Sequence, residues 1–92
     1  MFTVIAYDTS DDRLRKTLAR TLEGVGRRVQ GSVFEAYLDS ARYIRLRERL
    51  MALTDGREDV SVRCYRLCGP CEARTQELGV GPEFGAPAYF LF

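Results

Sequence analysis

Three groups of residues in the first 34 positions carry side chains whose types and order favour one chemistry. An apolar run from Phe2 to Ala6 ends in Tyr7-Asp8, which places a carboxylate at the end of a predicted strand. An arginine-rich helical pattern follows, and the chain then runs Arg28-Val-Gln-Gly-Ser-Val-Phe34, whose place beside arginines suggests an exposed aromatic side chain, although a phenylalanine is usually a core residue. Carboxylates bind hard metal ions and guanidinium groups bind phosphate oxygens. This order indicates a protein that holds a phosphodiester backbone near a metal ion.

Asp8 is the candidate metal ligand among these residues. One carboxylate binds Mg²⁺ weakly, but a twofold axis at the strand end would bring two copies of Asp8 together, and phosphate oxygens would complete the octahedron. An aspartate in this position caps a loop or a helix equally well, so residue type alone leaves both roles open. Asp11 and Asp12 fit helix capping better than metal ligation.

The net charge of +1 conceals an uneven distribution along the chain. Residues 13 to 49 contain ten basic and four acidic side chains, a local charge of +6, whereas the remaining residues carry −5. Of the 14 basic residues 13 are arginine, whose planar fork matches phosphate oxygens. Base composition or growth temperature explains an arginine excess but not this clustering. The candidate nucleic-acid-binding residues are Arg13, Lys16, Arg20, Arg27 and Arg28.

Several classes of protein are excluded or disfavoured by composition. The chain has no histidine, which excludes Ser-His-Asp and Cys-His catalysis and any zinc site built on histidine. Its three cysteines are an odd number, which argues against a secreted disulfide framework. No apolar stretch approaches the roughly 18 residues of a membrane span, and the first six residues are too short and lack the basic lead-in of a signal peptide. We therefore expect a cytoplasmic protein without membrane contact.

The hydrophobic pattern predicts the element order βαββαβ within a single domain of residues 1–92. A strand over Phe2 to Tyr7 is followed by a helix with Ser10 as its expected N-cap, which Gly24 and Gly26 close. Residues 27–38 form two strands around an irregular joint, a second helix runs from Asp39-Ser40 to Asp55-Gly56, and a last strand begins at residue 60. This is the α+β, ferredoxin-like arrangement: a four-stranded antiparallel sheet with two helices on one face.

Helical spacing also predicts which side chains form the core. On the first helix the expected core stripe is Leu14, Leu18, Leu22 and Val25, and the basic residues Arg13, Lys16 and Arg20 fall on the opposite side. On the second helix a broad apolar face is expected from Tyr43, Ile44, Leu46, Leu50, Met51 and Leu53. In the last strand Val60, Val62 and Cys64 alternate with polar neighbours, which indicates that one face is buried.

The pattern weakens after Leu67, so we divide the domain into a core of residues 2–67 and a C-terminal tail of residues 68–92. A weak helical turn is predicted near Glu72 to Leu78, and the chain ends in the apolar segment Ala86 to Phe92. An apolar terminus needs a surface to cover it. It is expected to add an edge strand to its own sheet or to lend a strand to another subunit, which makes residues 68–92 a dimerisation tail.

Two segments resemble one known family. The start Tyr7-Asp-Thr-Ser-Asp-Asp-Arg-Leu-Arg15 and the later Gly26-Arg-Arg-Val-Gln-Gly-Ser-Val-Phe-Glu35 are similar, in sequence and spacing, to the Cas2 family of small CRISPR-associated adaptation proteins. The resemblance implies a ferredoxin-like homodimer that is a metal-dependent endonuclease on single-stranded RNA or on DNA. It also implies a scaffold in the complex that inserts foreign DNA as a spacer, with a CRISPR-associated integrase subunit as its partner.

The same resemblance implies roles for individual residues. Asp8 would bind Mg²⁺, while Arg15 and Arg28 would stabilise phosphate charge. Ser32 and Phe34 would shape the floor of the catalytic cleft. It further implies that the C-terminal strand of one subunit crosses to the sheet of its partner.

The motif Cys68-Gly-Pro-Cys71 supports an alternative function, that of a thiol-disulfide oxidoreductase. Such a dithiol works at the start of a long helix in a domain with further strands after it, but only 21 residues follow Cys71 here and the chain has no tryptophan. A zinc knuckle of Cys64, Cys68 and Cys71 lacks a fourth ligand unless a second chain supplies one. The simplest interpretation is a Gly-Pro turn between two small residues.

Overall fold

The computed structural model describes residues 1–79 of the chain. In chain order, its elements are β1 Phe2–Thr9, α1 Asp12–Glu23, β2 Arg27–Gln30, β3 Val33–Tyr37, α2 Ser40–Thr54, β4 Val60–Leu67 and α3 Gly69–Ala73. The described residues contain no helix with the length and apolar character that crossing a membrane requires.

The four strands form one antiparallel sheet in the order β2-β3-β1-β4. This is the strand order of a ferredoxin-like domain, and the α+β prediction is confirmed. An extra C-terminal strand was expected from the apolar segment Ala86 to Phe92, which lies outside the described residues. The cytoplasmic location also stays a prediction.

The core lies between the sheet and the first two helices. Leu14, Leu18 and Leu22 of α1 are buried as predicted, and they pack with Ile5 of β1 and Phe34 of β3 in one cluster. The fourth member of the expected stripe, Val25, follows the helix and is 38% exposed. Burial of this stripe on one side leaves the basic residues of α1 on the surface.

The broad core face predicted for α2 is confirmed only in part. Only Leu46 and Leu50 are buried, Tyr43 and Leu53 pack partly against the core, and Ile44 and Met51 are about half exposed. The helix packs over β4, which is an edge strand of the sheet. A helix at the margin of a sheet meets it through one row of residues spaced four apart, so side chains to either side of that row stay in solvent.

The start of α1 also differs from the prediction by one residue. The N-cap is Asp11 rather than Ser10, and its Oδ1 accepts hydrogen bonds from the amides of Arg13 (2.8 Å) and Leu14 (3.1 Å). Asp39 caps α2 in the same way, as predicted, through the amide of Arg42 at 2.8 Å. β1 also extends two residues further than predicted, to Thr9, so Asp8 lies on the strand and Ser10 separates the strand from the N-cap.

Gly26 joins α1 to β2 by a close approach that excludes any side chain. A Cβ at this position would lie 2.1 Å from the carbonyl oxygen of Glu35 and 2.8 Å from the Cβ of Ala36. The irregular joint expected near Gly31-Ser32 is observed as the turn between β2 and β3, with Gly31 at a φ of 47°. This turn places Gly31 and Ser32 at the end of the sheet, beside Arg15, Lys16 and Ala19 of α1.

The alternation of side chains along β1 divides its residues between two faces of the sheet. Ile5 and Tyr7 are buried beneath the helices, whereas Asp8 is exposed on the opposite face, which we call the open face. Asp8 pairs in register with Ser61 of β4 at that face. Neighbours on β1 therefore contribute to different surfaces.

The short helix α3 lies earlier than the turn predicted near Glu72 to Leu78. It begins at Gly69 because Pro70 occupies its first turn, where a missing amide hydrogen costs nothing. The hydroxyl of Tyr37 donates a hydrogen bond to the carboxylate of Glu72, which ties α3 to β3.

Candidate nucleic-acid interface

A surface cleft forms where the end of β1, the first turns of α1 and the β2–β3 turn meet. Its volume is about 420 Å³. We call it the basic cleft, and it is lined by Tyr7, Arg15, Lys16, Ala19, Arg28, Gly31 and Ser32. Three of the described residues that line it are cationic, and none of them is acidic. The fold thus brings Arg15 of α1 together with Arg28 and Ser32, which lie 13 and 17 residues later in the sequence.

Three contacts hold the guanidinium of Arg28 in this cleft. It donates a hydrogen bond to the carbonyl oxygen of Gly31, lies 3.6 Å from a carboxylate oxygen of Glu23, and stacks 4.9 Å from the ring centroid of Phe34. The side chain is nevertheless 44% exposed. A guanidinium has five N–H donors, so these contacts orient the group without using all of its donors.

Arg15 is held in a similar way from the other side of the cleft. Its Nη2 donates a hydrogen bond to the carbonyl oxygen of Thr9 at 2.6 Å, and its Nη1 pairs with the carboxylate of Asp12. The side chain is 46% exposed. Two guanidinium groups that line the same cleft are therefore positioned by backbone carbonyls, an arrangement that suits an anion with several oxygens.

Phe34 is fully buried, so the expectation of an exposed aromatic side chain is wrong. β3 is an inner strand and places this residue on the helix-covered face, opposite Ile5. Its ring stacks on that of Tyr7 with a centroid separation of 6.2 Å and supports Arg28 from beneath. Phe34 therefore lies beneath Arg28 and Tyr7, which line the cleft, and is not itself a lining residue.

Ser32 forms the end wall of the basic cleft. Its carbonyl oxygen accepts a hydrogen bond of 3.1 Å from the amide of Tyr7, which ties the β2–β3 turn to β1. The residue is half-buried. Its main-chain contact explains why a strand end and a distant turn stay together.

Asp8 does not line the basic cleft. It lies in a second depression of about 380 Å³, the carboxylate groove, which is lined by Asp8, Thr9, Ser10, Glu58, Asp59, Val60 and Ser61. The sequence places Asp8 beside the arginines, but Tyr7 and Asp8 project to opposite faces of β1. The expected single constellation of Asp8 with Arg15 and Arg28 is therefore divided between two surfaces of one chain.

An ion-pair network that the sequence did not reveal closes one side of the carboxylate groove. Arg57 binds Asp59 through Nε (2.9 Å) and Nη2 (2.8 Å), and the same Nη2 lies 2.6 Å from the carboxylate of Asp11. The hydrogen bond from Arg57 is the main reason why the pKa values of Asp11 and Asp59 lie below their usual range. The only sequence signal for this network is an arginine two residues before an aspartate in a turn.

The donor set of the groove fits one mode of magnesium binding. Within residues 1–79 no three His, Cys, Asp or Glu side chains converge on a common point. Asp59 is engaged by Arg57, Glu58 lies in the turn before β4, and Asp8 is the exposed carboxylate near the end of β1. Mg²⁺ commonly uses one or two protein carboxylates and completes its octahedron with water and substrate phosphates. Asp8 suits that mode and does not form a site made of protein ligands alone.

The predicted nucleic-acid-binding residues occupy two sides of the molecule. Arg13, Lys16 and Arg20 are exposed on α1, opposite its buried leucines, as their spacing predicts. Arg27 projects to the open face and lies 3.7 Å from Glu35, whose pKa is raised because the carboxylate is partly buried. Lys16 of α1 and Arg28 of β2 both line the basic cleft, whereas Arg27 lies on the opposite face of the sheet.

The cysteines form no zinc knuckle within the described residues, because Cys64, Cys68 and Cys71 do not form a metal-binding group. Cys64 is half-buried on β4, and burial raises its pKa. Cys68 and Cys71 are both exposed at the start of α3, with their Sγ atoms 3.2 Å apart.

Comparison with known proteins agrees with this fold. The sequence model of the family described as "CRISPR associated protein Cas2" matches residues 1–75. The chain is 42% identical over 91 residues to a CRISPR-associated endoribonuclease Cas2 of Chloroflexus aurantiacus, and the match covers 99% of this chain and 97% of the relative.

Solved structures show the same similarity. A hypothetical protein, TT1823, from Thermus thermophilus superposes with a TM-score of 0.76 at 41% identity, covering 88% of this chain and 93% of the other. A chain of a partial Cas6-RT-Cas1–Cas2 complex superposes with a TM-score of 0.70 at 27% identity, covering 84% and 89%. From its sequence and its fold, this chain belongs to the CRISPR-associated protein Cas2 family.

Proposed function

We propose that this protein is a CRISPR adaptation subunit that acts as a homodimer, holds nucleic acid through its basic cleft, and cleaves phosphodiesters as a metal-dependent endonuclease at Asp8. The observation that carries the proposal is that Arg15 and Arg28 line one cleft, each held by a backbone carbonyl and each still about half exposed.

The basic cleft is suited to bind a phosphate group of either RNA or DNA. Its cationic donors are directed by contacts to the main chain, so little side-chain freedom is lost when an anion binds. Arg13, Lys16 and Arg20 extend the positive surface along α1. Binding through phosphates alone does not depend on base sequence, which fits a protein that captures arbitrary DNA.

Asp8 gains a catalytic role only with a second copy of the chain. Its position on the open face allows a twofold axis near β1 to bring two Asp8 carboxylates close together. Bound Mg²⁺ would supply charge neutralisation at the scissile phosphate and a water of lowered pKa. The protein would contribute the Asp8 carboxylates, which hold the ion, and the cleft arginines, which hold the flanking phosphates.

The names of two similar proteins support the proposed nuclease activity and the proposed scaffold role. The Chloroflexus aurantiacus relative is named an endoribonuclease, and a structural neighbour is part of a complex that contains Cas1. We therefore propose a Cas1-type integrase subunit as partner of this chain. In that assembly the dimer would act as a scaffold, with cleavage at Asp8 as its enzymatic activity.

The proposal is tested with the purified full-length chain on labelled single-stranded RNA and on duplex DNA, each with Mg²⁺ and with a chelator. We expect a dimer by sedimentation, salt-sensitive binding to both substrates, and cleavage that the chelator and Asp8→Ala abolish. The matched control is Asp55→Ala, because Asp55 is an exposed aspartate outside both surface depressions.

Three results would contradict this function. A stable monomer would remove the shared Asp8 site. Cleavage that survives in Asp8→Ala would remove Asp8 from the mechanism. Binding of substrate without any cleavage by the wild type would reduce the proposal to the scaffold role.

A further inference from the structure

Cys68 and Cys71 form a dithiol that the proposed function does not use. Their Sγ atoms are 3.2 Å apart, within hydrogen-bond range of two sulfur atoms, and both residues are exposed. Neither lines the basic cleft or the carboxylate groove. Closing the pair into a disulfide requires a small movement of two side chains on the same helical turn.

The environments of the two thiols differ in a way that suits sequential reaction. The hydrogen bond from Cys71 is the main factor that lowers the pKa of Cys68, because it stabilises the Cys68 thiolate. The same interaction raises the pKa of Cys71, which keeps its proton. Cys68 is therefore the more available nucleophile and Cys71 the thiol positioned to resolve an adduct on it.

The dithiol lies where β4 leads into the C-terminal part of the chain. β4 ends at Leu67, and the turn that follows is closed by the hydrogen bond from the amide of Glu72 to the carbonyl oxygen of Cys68 at 2.9 Å. The carboxylate of Glu72 accepts the hydrogen bond from the hydroxyl of Tyr37 on the open face. The geometry of this turn thus sets where the chain leaves the sheet.

We propose that Cys68 and Cys71 are a modification site: they form a reversible intrachain disulfide by exchange with a small-molecule disulfide such as oxidised glutathione. The Cys68 thiolate attacks one sulfur of the oxidant, which forms a mixed disulfide and releases one small thiol. The Cys71 thiolate then attacks the Cys68 sulfur and releases the second small thiol. Two protein thiols are oxidised, one small disulfide is reduced, and both protein protons leave on the released thiols.

This proposal differs from a thiol-disulfide oxidoreductase, because the disulfide acts on the protein that carries it. The bond would fix the turn of α3 covalently and hold Glu72 beside Tyr37. The direction in which residues beyond α3 leave the domain would then respond to the thiol redox state.

The experiment equilibrates the full-length chain with mixtures of reduced and oxidised glutathione, quenches with acid, and counts free thiols by maleimide labelling of the denatured protein. We expect three labelled cysteines under reducing conditions and one under oxidising conditions, with a mass loss of about 2 Da from the two hydrogens removed. Dithiothreitol should restore all three thiols. Hydrogen exchange should be slower at the amides of Glu72, Arg74 and Thr75 in the oxidised form.

Two variants keep the test specific. Cys71→Ser should stop at a glutathione adduct on Cys68, since the resolving thiol is absent. Cys64→Ser should still lose two thiols together, because Cys64 lies half-buried on β4, away from the pair. Retention of three thiols in excess oxidant, stable glutathione adducts on the wild type, or disulfides between chains would each overturn the proposal.

Discussion

Tyr7 lies in the basic cleft and Asp8 in the carboxylate groove, although the two residues are neighbours on β1. The two surfaces also differ in how they are built. The cleft rests on buried aromatic rings, with Phe34 beneath Arg28 and stacked on Tyr7. The groove is bordered by the exposed ion pairs of Arg57. The cleft is thus supported by buried packing, whereas the groove is bordered by electrostatic contacts at the surface.

The largest effect should come from removing the floor of the cleft. Phe34→Ala deletes a fully buried ring and should lower the free energy of unfolding by about 3–5 kcal/mol. Urea denaturation measures this change, and the milder Phe34→Leu should cost less than about 1.5 kcal/mol, so that this variant stays folded for binding assays. The control is Tyr65→Ala on the open face, where the ring is 47% exposed. Equal destabilisation by Phe34→Ala and Tyr65→Ala would show that the cleft has no special packing.

Asp8→Asn should separate the two surfaces most clearly. We expect cleavage to fall by about 100-fold or more, the scale typical of removing one electrostatic interaction from an active site. Affinity for duplex DNA measured without Mg²⁺ should not weaken, because removing a negative charge does not reduce the attraction of the protein's own cations to phosphate. Single-turnover cleavage and a separate binding titration measure the two effects. A matching decrease in affinity would mean that Asp8 also organises the basic cleft.

Arg28→Ala should also impair cleavage more than binding, but with a smaller separation between the two effects than Asp8→Asn. Removal of its guanidinium fork should reduce cleavage by about tenfold, with a smaller effect on duplex affinity, because other cations still attract the backbone. Arg28→Lys retains the charge but not the bidentate geometry, so it should recover affinity more than cleavage. If both variants weaken binding and cleavage equally, Arg28 acts only as one charge of the binding surface.

The exposed stripe on α1 should show itself in salt dependence. Replacing Arg13, Lys16 and Arg20 together by alanine should reduce the slope of log affinity against log salt by about 1 for each phosphate that the variant no longer neutralises. The matched control replaces three arginines of α2 by alanine and so removes the same number of positive charges. These residues are Arg42, Arg45 and Arg49. Equal slopes for the wild type and the α1 variant would make that stripe a solvated helix face and move the DNA-binding surface to α2.

The smallest effect should be the change with pH in the stability that the ion pairs of Arg57 with Asp11 and Asp59 provide. The pKa values of Asp11 and Asp59 lie below the ordinary 3.8, so the folded state binds fewer protons than the unfolded state near that pH. Their stabilising contribution is complete above pH 3.8 and is lost as the pH falls through the lower folded values. Arg57→Gln should therefore lower Tm near neutral pH, and the difference from the wild type should shrink below pH 3.8.

Arg63→Gln is the control for this pH effect. Arg63 is exposed, and its guanidinium donates a hydrogen bond to the hydroxyl of Tyr65 rather than to a carboxylate. Its effect on Tm should not change across the acid range. If the Tm difference between Arg57→Gln and the wild type were also constant across the acid range, the stability provided by the network would not depend on the protonation of Asp11 and Asp59.

The fold was predictable from the sequence because its signals are local. Leucines at positions 14, 18 and 22 define one helix face, and Asp39 is a helix cap by its residue type and place. The alternation from Val60 to Cys64 marks a half-buried strand without any knowledge of its neighbours. The expected extent of α2 burial was wrong, because the position of a helix over a sheet edge is not encoded in its own periodicity.

The candidate site was predictable only as a set of residues. Arg15, Arg28 and Ser32 converge because the β2–β3 turn folds back onto β1, through the 3.1 Å hydrogen bond between Tyr7 and Ser32. The burial of Phe34 and the network of Arg57 also depend on contacts between distant segments. For Arg15, Arg28, Ser32 and Phe34 the family resemblance was the only signal of a shared cleft, and for the Arg57 network the sequence offered residue type alone.

By itself the sequence determined the ferredoxin-like element order, the basic side of α1 and the chemical character of the site, since hydrophobic period and residue type act over a few neighbours. Only the tertiary structure decided that Asp8 stands apart from Arg15 and Arg28. The period of two along β1 sends Tyr7 and Asp8 to opposite faces, and which face the helices cover depends on how the whole sheet is assembled.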